Sequence, residues 1–369
     1  MNKNMNKLIW TLLMIGLIVS CKAPQNEISE KQKLFDILQS VKGKGILFGH
    51  QDTYAYGYTW KDVEGNSDVK RVTGDYPAVF GWELGGIEKG VKANLDTVSF
   101  VNIRKYALKA FAQGGVNTFS WHPFSATKRV DSWNTTERVV DKIIPGGAYH
   151  EAFKKDLDAL ADYLNSIVTE DGVKIPFIFR PWHEMDGTWF WWGRTSCTPQ
   201  ELKDLFQFTV KYLREDKGVD QMLVAYSPDR NFNTIEDYLT WYPGDEYVDV
   251  IGMDNYYDLY TKGLVDEAIK KLHVIIKYAN EKGKISALTE TGYENIPDST
   301  WYINKLGVVL SDSIVAANIS YTLVWRNDPL KHFFFPYPGQ PSAKYAKELL
   351  DRDGIWLLND LVEFNKQNK

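Results

Sequence analysis

Residues 175–193, IPFIFRPWHEMDGTWFWWG, join an apolar run to a dense set of groups that could do chemistry. Ile175 to Phe179 reads as a buried strand, and Arg180, Trp182, His183 and Glu184 follow at its end. Trp189, Phe190, Trp191 and Trp192 come next. Indole faces stack on the apolar faces of sugar rings. A carboxyl group buried beside them has its pKa raised, so it stays protonated and can donate to a departing oxygen. The set points to cleavage of a glycosidic bond. By period two, Arg180, Trp182 and Glu184 are expected on one side of the strand, with Arg180 beneath the acidic groups.

That chemistry needs two carboxyls, roughly 5–5.5 Å apart in retaining enzymes and roughly 6.5–9.5 Å in inverting ones. Glu290 is the second, at the end of the apolar run Ile285–Thr289. An isolated Glu at a strand end is usually an ion-pair partner or a cap. The shared placement of two such residues, with Trp and His neighbours, favours catalysis. Trp189 is expected as a sugar platform, whereas Trp191 and Trp192 are as readily packing residues.

Eight short apolar runs read as strands: Gly45–Gly49, Ala78–Trp82, Val116–Trp121, Ile175–Trp182, Met222–Tyr226, Val248–Met253, Ile285–Thr289 and Ile319–Trp325. Amphipathic helices separate them. Residues 152–168 carry apolar positions at spacings of three and four. Thr198-Pro199-Gln200-Glu201 reads as an N-cap, a Pro at the first helical position and a capping-box Glu. Gly283 closes the helix over 265–282. Alternation of buried strands with helices implies a parallel sheet under a helical coat. The expected fold class is α/β, a single-domain (β/α)8 TIM barrel over residues 32–369, with 122–150 as one long loop. An open doubly wound sheet is the rival, weakened by the lack of a Gly-rich nucleotide fingerprint after an early strand.

In such a barrel, functional groups gather at the C-terminal ends of the strands. Those ends read His50-Gln51-Asp52, Trp82-Glu83, Trp121-His122, His183-Glu184, Ser227-Pro228-Asp229, Asp254-Asn255-Tyr256, Thr289-Glu290 and Trp325-Arg326. Glu184 and Glu290 end the fourth and seventh strands, across the axis from each other. Of Tyr256 and Tyr257 only one can point inward. His50, Asp52, His122, His183 and Glu184 could also converge on a divalent ion. The chain has no HxH or HExxH spacing, so neither a metal nor a cofactor is expected. His50 is as readily a satisfied histidine at the barrel rim.

Arg180-Pro181-Trp182-His183-Glu184-Met185 resembles the acid/base motif of glycoside hydrolase family 26, the β-mannanases and their relatives. Ala287-Leu288-Thr289-Glu290-Thr291-Gly292 resembles its nucleophile strand. Gly49-His50-Gln51-Asp52, Gly81-Trp82-Glu83-Leu84-Gly85-Gly86 and Ser120-Trp121-His122-Pro123 are similar to further segments of that family. The resemblance covers about residues 45–330. It implies a retaining (β/α)8 enzyme with Glu184 as acid/base and Glu290 as nucleophile. It also implies Tyr256 as the hydrogen-bond partner of the nucleophile, with His122, His183, Trp189 and Trp325 lining the subsites. The implied substrate is a β-1,4-mannan or a manno-oligosaccharide. A β-glucanase or a β-1,3-xylanase on the same scaffold, and a glycan-binding lipoprotein without activity, are the alternatives. Endo or exo action stays open, with 122–150 and His332–Pro338 as candidate walls at one end of the cleft.

Composition fits this reading. The 369 residues are 44% apolar and 25% charged, with a net charge of -5 and no basic stripe, so nucleic acid is not an expected partner. Aromatics reach 14%, with 13 Trp, a supply that favours a stacking ligand. Lys3 and Lys7 precede an uncharged run from Leu8 to Val19, the pattern of a signal peptide over residues 1–20. Leu17-Ile18-Val19-Ser20-Cys21 resembles the bacterial lipobox, which makes Cys21 the lipidation site and residues 21–31 a tether. Lys22 is not the Asp-type retention signal, so by resemblance to bacterial lipoproteins the outer membrane is the expected location. With Cys21 acylated, Cys197 has no partner in the chain. A monomer is expected.

Overall fold

The computed structural model describes residues 28–260 and 264–368. The signal segment, Cys21 and the first part of the tether lie outside the described residues. Residues 30 and 31, expected as the end of the tether, are the first two of a helix. Ser29 accepts from the Gln32 N–H and caps helix α1 (Glu30–Ser40).

Eight strands form, each close to its expected position. They are β1 (Ile46–Gln51), β2 (Val79–Glu83), β3 (Val116–Ser120), β4 (Phe177–Arg180), β5 (Met222–Tyr226), β6 (Val250–Asp254), β7 (Ile285–Thr291) and β8 (Ile319–Val324). All neighbours pair in parallel, and β8 pairs with β1, opposite Leu47–His50, which closes the barrel. Closure removes the sheet edges. The open doubly wound rival is thereby excluded. A short strand, Ile355–Trp356, pairs with the outer end of β1.

Two cores follow from the alternation of strand residues. Leu47, Val79, Val116, Ile178, Leu223, Val250, Ala287 and Leu323 point inward and fill the barrel. Leu34, Leu38 and Val41 of α1 belong to the same cluster, so α1 stops the barrel at the N-terminal ends of the strands. Ser320 Oγ donates to the Leu38 carbonyl and Gln39 to the Gly283 carbonyl, pinning the stopper. The outward residues, such as Phe48, Phe80, Phe119, Phe177 and Phe179, pack under the helices.

The expected helices form as well. His150–Asn165 buries Phe153, Leu157, Leu160 and Leu164. Pro199–Lys211 starts with a complete capping box between Thr198 and Glu201. Val265–Glu281 is followed by Gly283 at φ 64°. The 122–150 stretch is not a single loop, because Val140–Ile143 forms a helical turn whose Val140 and Ile143 are buried.

Candidate active site

Arg180, the last residue of β4, points inward as Ile178 does and is almost fully buried. Its guanidinium donates to Asp254 Oδ2 at 2.5 Å and, with its other terminal nitrogen, to Glu290 Oε2. Asp254 ends β6 and also accepts from Ser227 Oγ at 2.6 Å and Thr289 Oγ1 at 2.8 Å. A buried cation thus meets two carboxylates from strands across the barrel, the arrangement that makes burying charge tolerable.

Thr289 and Glu290 are consecutive, yet both face this centre. A register shift between β6 and β7, with Met253 opposite Leu288 and Asp254 opposite Glu290, explains it. The extra residue in β7 re-aims the side chain at the site.

Beyond Arg180 the alternation fails on β4. Trp182 and Glu184 both take left-handed backbone, at φ 52° and φ 53°. Side chains with a Cβ rarely adopt this region. Trp182 therefore leaves the side of Arg180, contrary to the period-two expectation. It sits under the helices against Trp121, Trp191 and Trp192, with its indole N–H on Thr209 Oγ1 at 3.2 Å. Trp191 and Trp192 are buried packing residues. Glu184 is brought back over the barrel mouth. One carboxylate oxygen each from Glu184, Asp254 and Glu290 lies within 4.8 Å of the other two.

The remaining expected residues contact one of the two glutamates or one another. Trp189, partly exposed, donates its indole N–H to Glu184 Oε2 at 2.6 Å. Tyr256 donates its hydroxyl to Glu290 Oε1 at 2.6 Å. Its neighbour Tyr257 is half exposed and faces the Arg230 guanidinium, 3.9 Å from the ring centroid. His122 and His183 meet through their Nε2 atoms at 3.1 Å. Trp325 lies edge-on to His122, ring centroids 6.2 Å apart. The aromatic loop that begins at His332 reaches the site through Phe334, which packs edge-on to Tyr256.

Electrostatics distinguish the groups. Burial pushes the Glu184 carboxyl well above the ordinary carboxylate range, and the charges of Glu290, Asp254 and Asp229 push it further; the Trp189 N–H opposes them. Burial also raises Asp254. Burial, aided by the Arg180 charge, keeps the His183 imidazole neutral. Glu83, at the end of β2, behaves oppositely. Burial opposes its ionisation, but His122 and the Ser120 hydroxyl outweigh that and bring it down to about 2. Its Oε2 accepts from His122 Nδ1 at 2.7 Å, and its Oε1 from the His122 N–H at 2.8 Å.

Sequence reasoning passed over Asp254, Glu83 and Trp133. The first two were visible as polar strand ends. Trp133 lies in the 122–150 stretch and stacks nearly parallel on His122, centroids 5.2 Å apart, a contact no local pattern announces. The five-residue metal set does not assemble: among the described residues the three-ligand cluster is Glu184, Asp254 and Glu290, and the last two of these already pair with the Arg180 cation. His50 is buried edge-on to Phe335, with the Asn327 side chain as its polar neighbour. Burial holds it neutral, at about 3.

Two opposed carboxyls this close, one pushed toward its protonated form and one beside a fixed cation, place the molecule among the (β/α)8 glycoside hydrolases. Residues 23–311 match the model of Glycosyl hydrolase family 26. The chain belongs to that family. A mannan endo-1,4-beta-mannosidase of Bifidobacterium adolescentis is 35% identical over 321 residues, which are 82% of this chain and 31% of that protein. One from Bacillus subtilis is 30% identical over 61% of this chain and 62% of its own length. The chain thus spans about a third to three fifths of these curated relatives. Among solved structures, a GH26 beta-mannanase from Bacteroides ovatus superimposes with a TM-score of 0.86 at 40% identity, covering 90% of this chain and 95% of that one. A modular endo-beta-1,4-mannanase from Cellulomonas fimi does so with a TM-score of 0.83 at 34% identity, covering 90% and 76%.

Proposed function

We propose that this chain is a retaining β-mannanase that cleaves β-1,4-mannosidic bonds by double displacement. The observation that carries the reading is the approach of the Glu184 and Glu290 oxygens to within 4.8 Å. Inverting enzymes need roughly 6.5–9.5 Å to seat a water between the pair. In the first step a Glu290 oxygen bonds to the anomeric carbon while Glu184 passes its proton to the departing glycosidic oxygen. In the second, Glu184 takes a proton from water, the water oxygen bonds to the same carbon, and the Glu290 carboxylate leaves. Arg180 and the Tyr256 hydroxyl stabilise the negative charge on Glu290. His122, His183, Trp189 and Trp325 form the walls that hold the sugars.

The test is a substrate panel with product stereochemistry. Reducing sugars released from galactomannan, mixed-linkage β-glucan and xylan are compared, and the anomer first formed is followed by proton NMR. Mannan is the expected substrate and the β-anomer the expected first product. Brisk release from another polysaccharide with none from mannan would move the assignment to that substrate. An α-anomer would end the retaining mechanism.

The same reading includes an anchor. Cys21 as a lipidated residue would hold the barrel by the α1 end, opposite the cleft. Six residues lie between Cys21 and Ile28, so the link spans at most about 25 Å. The cleft then faces away from the membrane, on a monomer attached to the outer membrane. Expression of the full chain with Cys21→Ser should move the protein from the detergent phase to the aqueous phase. Equal partitioning of both forms would remove the anchor from the proposal.

A further inference from the structure

Glu184 occupies a backbone conformation that costs energy, and something must hold it there. The Glu184 N–H donates to the Ser227 carbonyl at 2.8 Å. Ser227 opens the loop that follows β5. The next carbonyl, of Pro228, accepts from the Asp254 N–H at 2.8 Å. The loop is therefore a spacer between the acid/base side of the cleft and the Arg180–Asp254–Glu290 side. Its own position is set by one side chain. Asp186, two residues after Glu184 and buried, accepts the Asp229 N–H on Oδ1 at 2.6 Å and the Asn231 N–H on Oδ2 at 2.9 Å. The Asn231 amide returns the contact, donating to the Asp186 carbonyl and to Asp229 Oδ2, each at 3.2 Å.

We propose that Asp186 is a positioning residue for the acid/base: by gripping both backbone N–H groups of the loop after β5, it clamps that loop to the turn carrying Glu184 and fixes where the proton is delivered. The inference rests on Glu184 being the acid/base. Asp186 touches no reacting atom. Its removal should displace the Glu184 carboxyl relative to Glu290 while leaving Arg180, Asp254 and Tyr256 on the nucleophile in place. A displacement near 1 Å is enough to cost about 10²-fold in rate.

The discriminating experiment uses two substrates that differ in their need for a proton. Mannan expels an alkoxide-like oxygen and requires general acid help. A 2,4-dinitrophenyl β-mannobioside expels an acidic phenol and does not. Asp186→Ala should cut mannan turnover by about 10²-fold. The burst of dinitrophenolate should keep its parental rate, and azide should accelerate the steady state. Azide does so by attacking the anomeric carbon of the glycosyl-enzyme as the Glu290 carboxylate leaves, giving a β-glycosyl azide. Asp186→Asn, isosteric and keeping one acceptor oxygen, should fall between parent and Ala. Should the Ala variant not melt cooperatively, the Asn variant carries the same comparison. Parallel losses on both substrates would make Asp186 merely structural, and parental mannan turnover would make it dispensable; either overturns the proposal. Glu184→Ala is run beside them. If it too fails to separate the two substrates, the acid/base assignment falls, whatever Asp186 does.

Discussion

The indole N–H of Trp189 donates to the same carboxyl, Glu184, that burial and three neighbouring carboxylates push toward its protonated form. The expected sugar platform is therefore also an electrostatic partner. A donated hydrogen bond favours the ionised carboxylate, so Trp189 opposes burial. The proposed first step needs Glu184 protonated and fails as pH rises through its pKa. Trp189→Phe removes the opposing bond and should carry the alkaline limb of kcat/KM to higher pH. Asp229→Asn should carry it lower, because it deletes one of the charges that raise Glu184. Asp229 is itself pushed up to about 7, by burial and then by Asp186, so its charge acts on Glu184 from about that pH upward. A pH profile of each variant checks the signs; shifts in one common direction would contradict this electrostatic account.

The proposed catalytic pair makes a second prediction. Glu184→Gln should lower mannan turnover by about 10²–10⁴-fold, the usual worth of a general acid/base. Glu290→Gln should lower it by at least as much, since no covalent intermediate can form. Both should melt cooperatively near the parental temperature. Either variant hydrolysing mannan at the parental rate would remove that residue from the mechanism.

Tyr256 and Glu290 supply a third. The Tyr256 hydroxyl gives Glu290 Oε1 a 2.6 Å bond in a partly buried site. Bonds to charged groups are worth about 1.5–3 kcal/mol, or roughly 10- to 150-fold in rate. Tyr256→Phe should reduce kcat/KM within that range and leave the fold intact. Kinetics on mannan measure the loss, and an unchanged value would assign Tyr256 to packing alone.

Glu83 links the site to stability. Its carboxyl falls from 4.5 to about 2 on folding. A group depressed in the folded state contributes stability that is fully present above its unfolded value and lost as pH falls through its folded one. The contribution is therefore complete above about pH 4.5 and fades toward pH 2. Glu83→Gln should cost about 1–3 kcal/mol at neutral pH. It should also flatten the decline in melting temperature between pH 4.5 and 2. Melting curves across that range read both effects. A parental slope there would place the acid sensitivity on other groups.

Much of this molecule was readable one strand at a time. A buried parallel strand announces itself as an apolar run. Its C-terminal end announces itself as an abrupt change to Arg, His, Trp or Glu. The same local rules found the capping box at Thr198–Glu201 and the glycine stop at Gly283, because capping is settled within a few residues. Local rules also misled. Period two placed Trp182 beside Arg180, but two left-handed residues in one turn send its indole under the helices. Nothing in the order of residues there signals a positive φ, since Trp and Glu carry it instead of glycine.

The residues alone determined which side chains stand at the barrel mouth, and that two of them are carboxyls, one just after the fourth strand and one near the end of the seventh. Only closure of the sheet decided their partners. The register shift in β7 aims Glu290, and Arg180 reaches Asp254 and Glu290 across the axis. Asp186 grips a loop more than forty positions away in sequence. Such contacts depend on strand register and barrel geometry, which the whole chain settles together. Strand identity depends on side-chain burial, which a handful of neighbouring residues can already express.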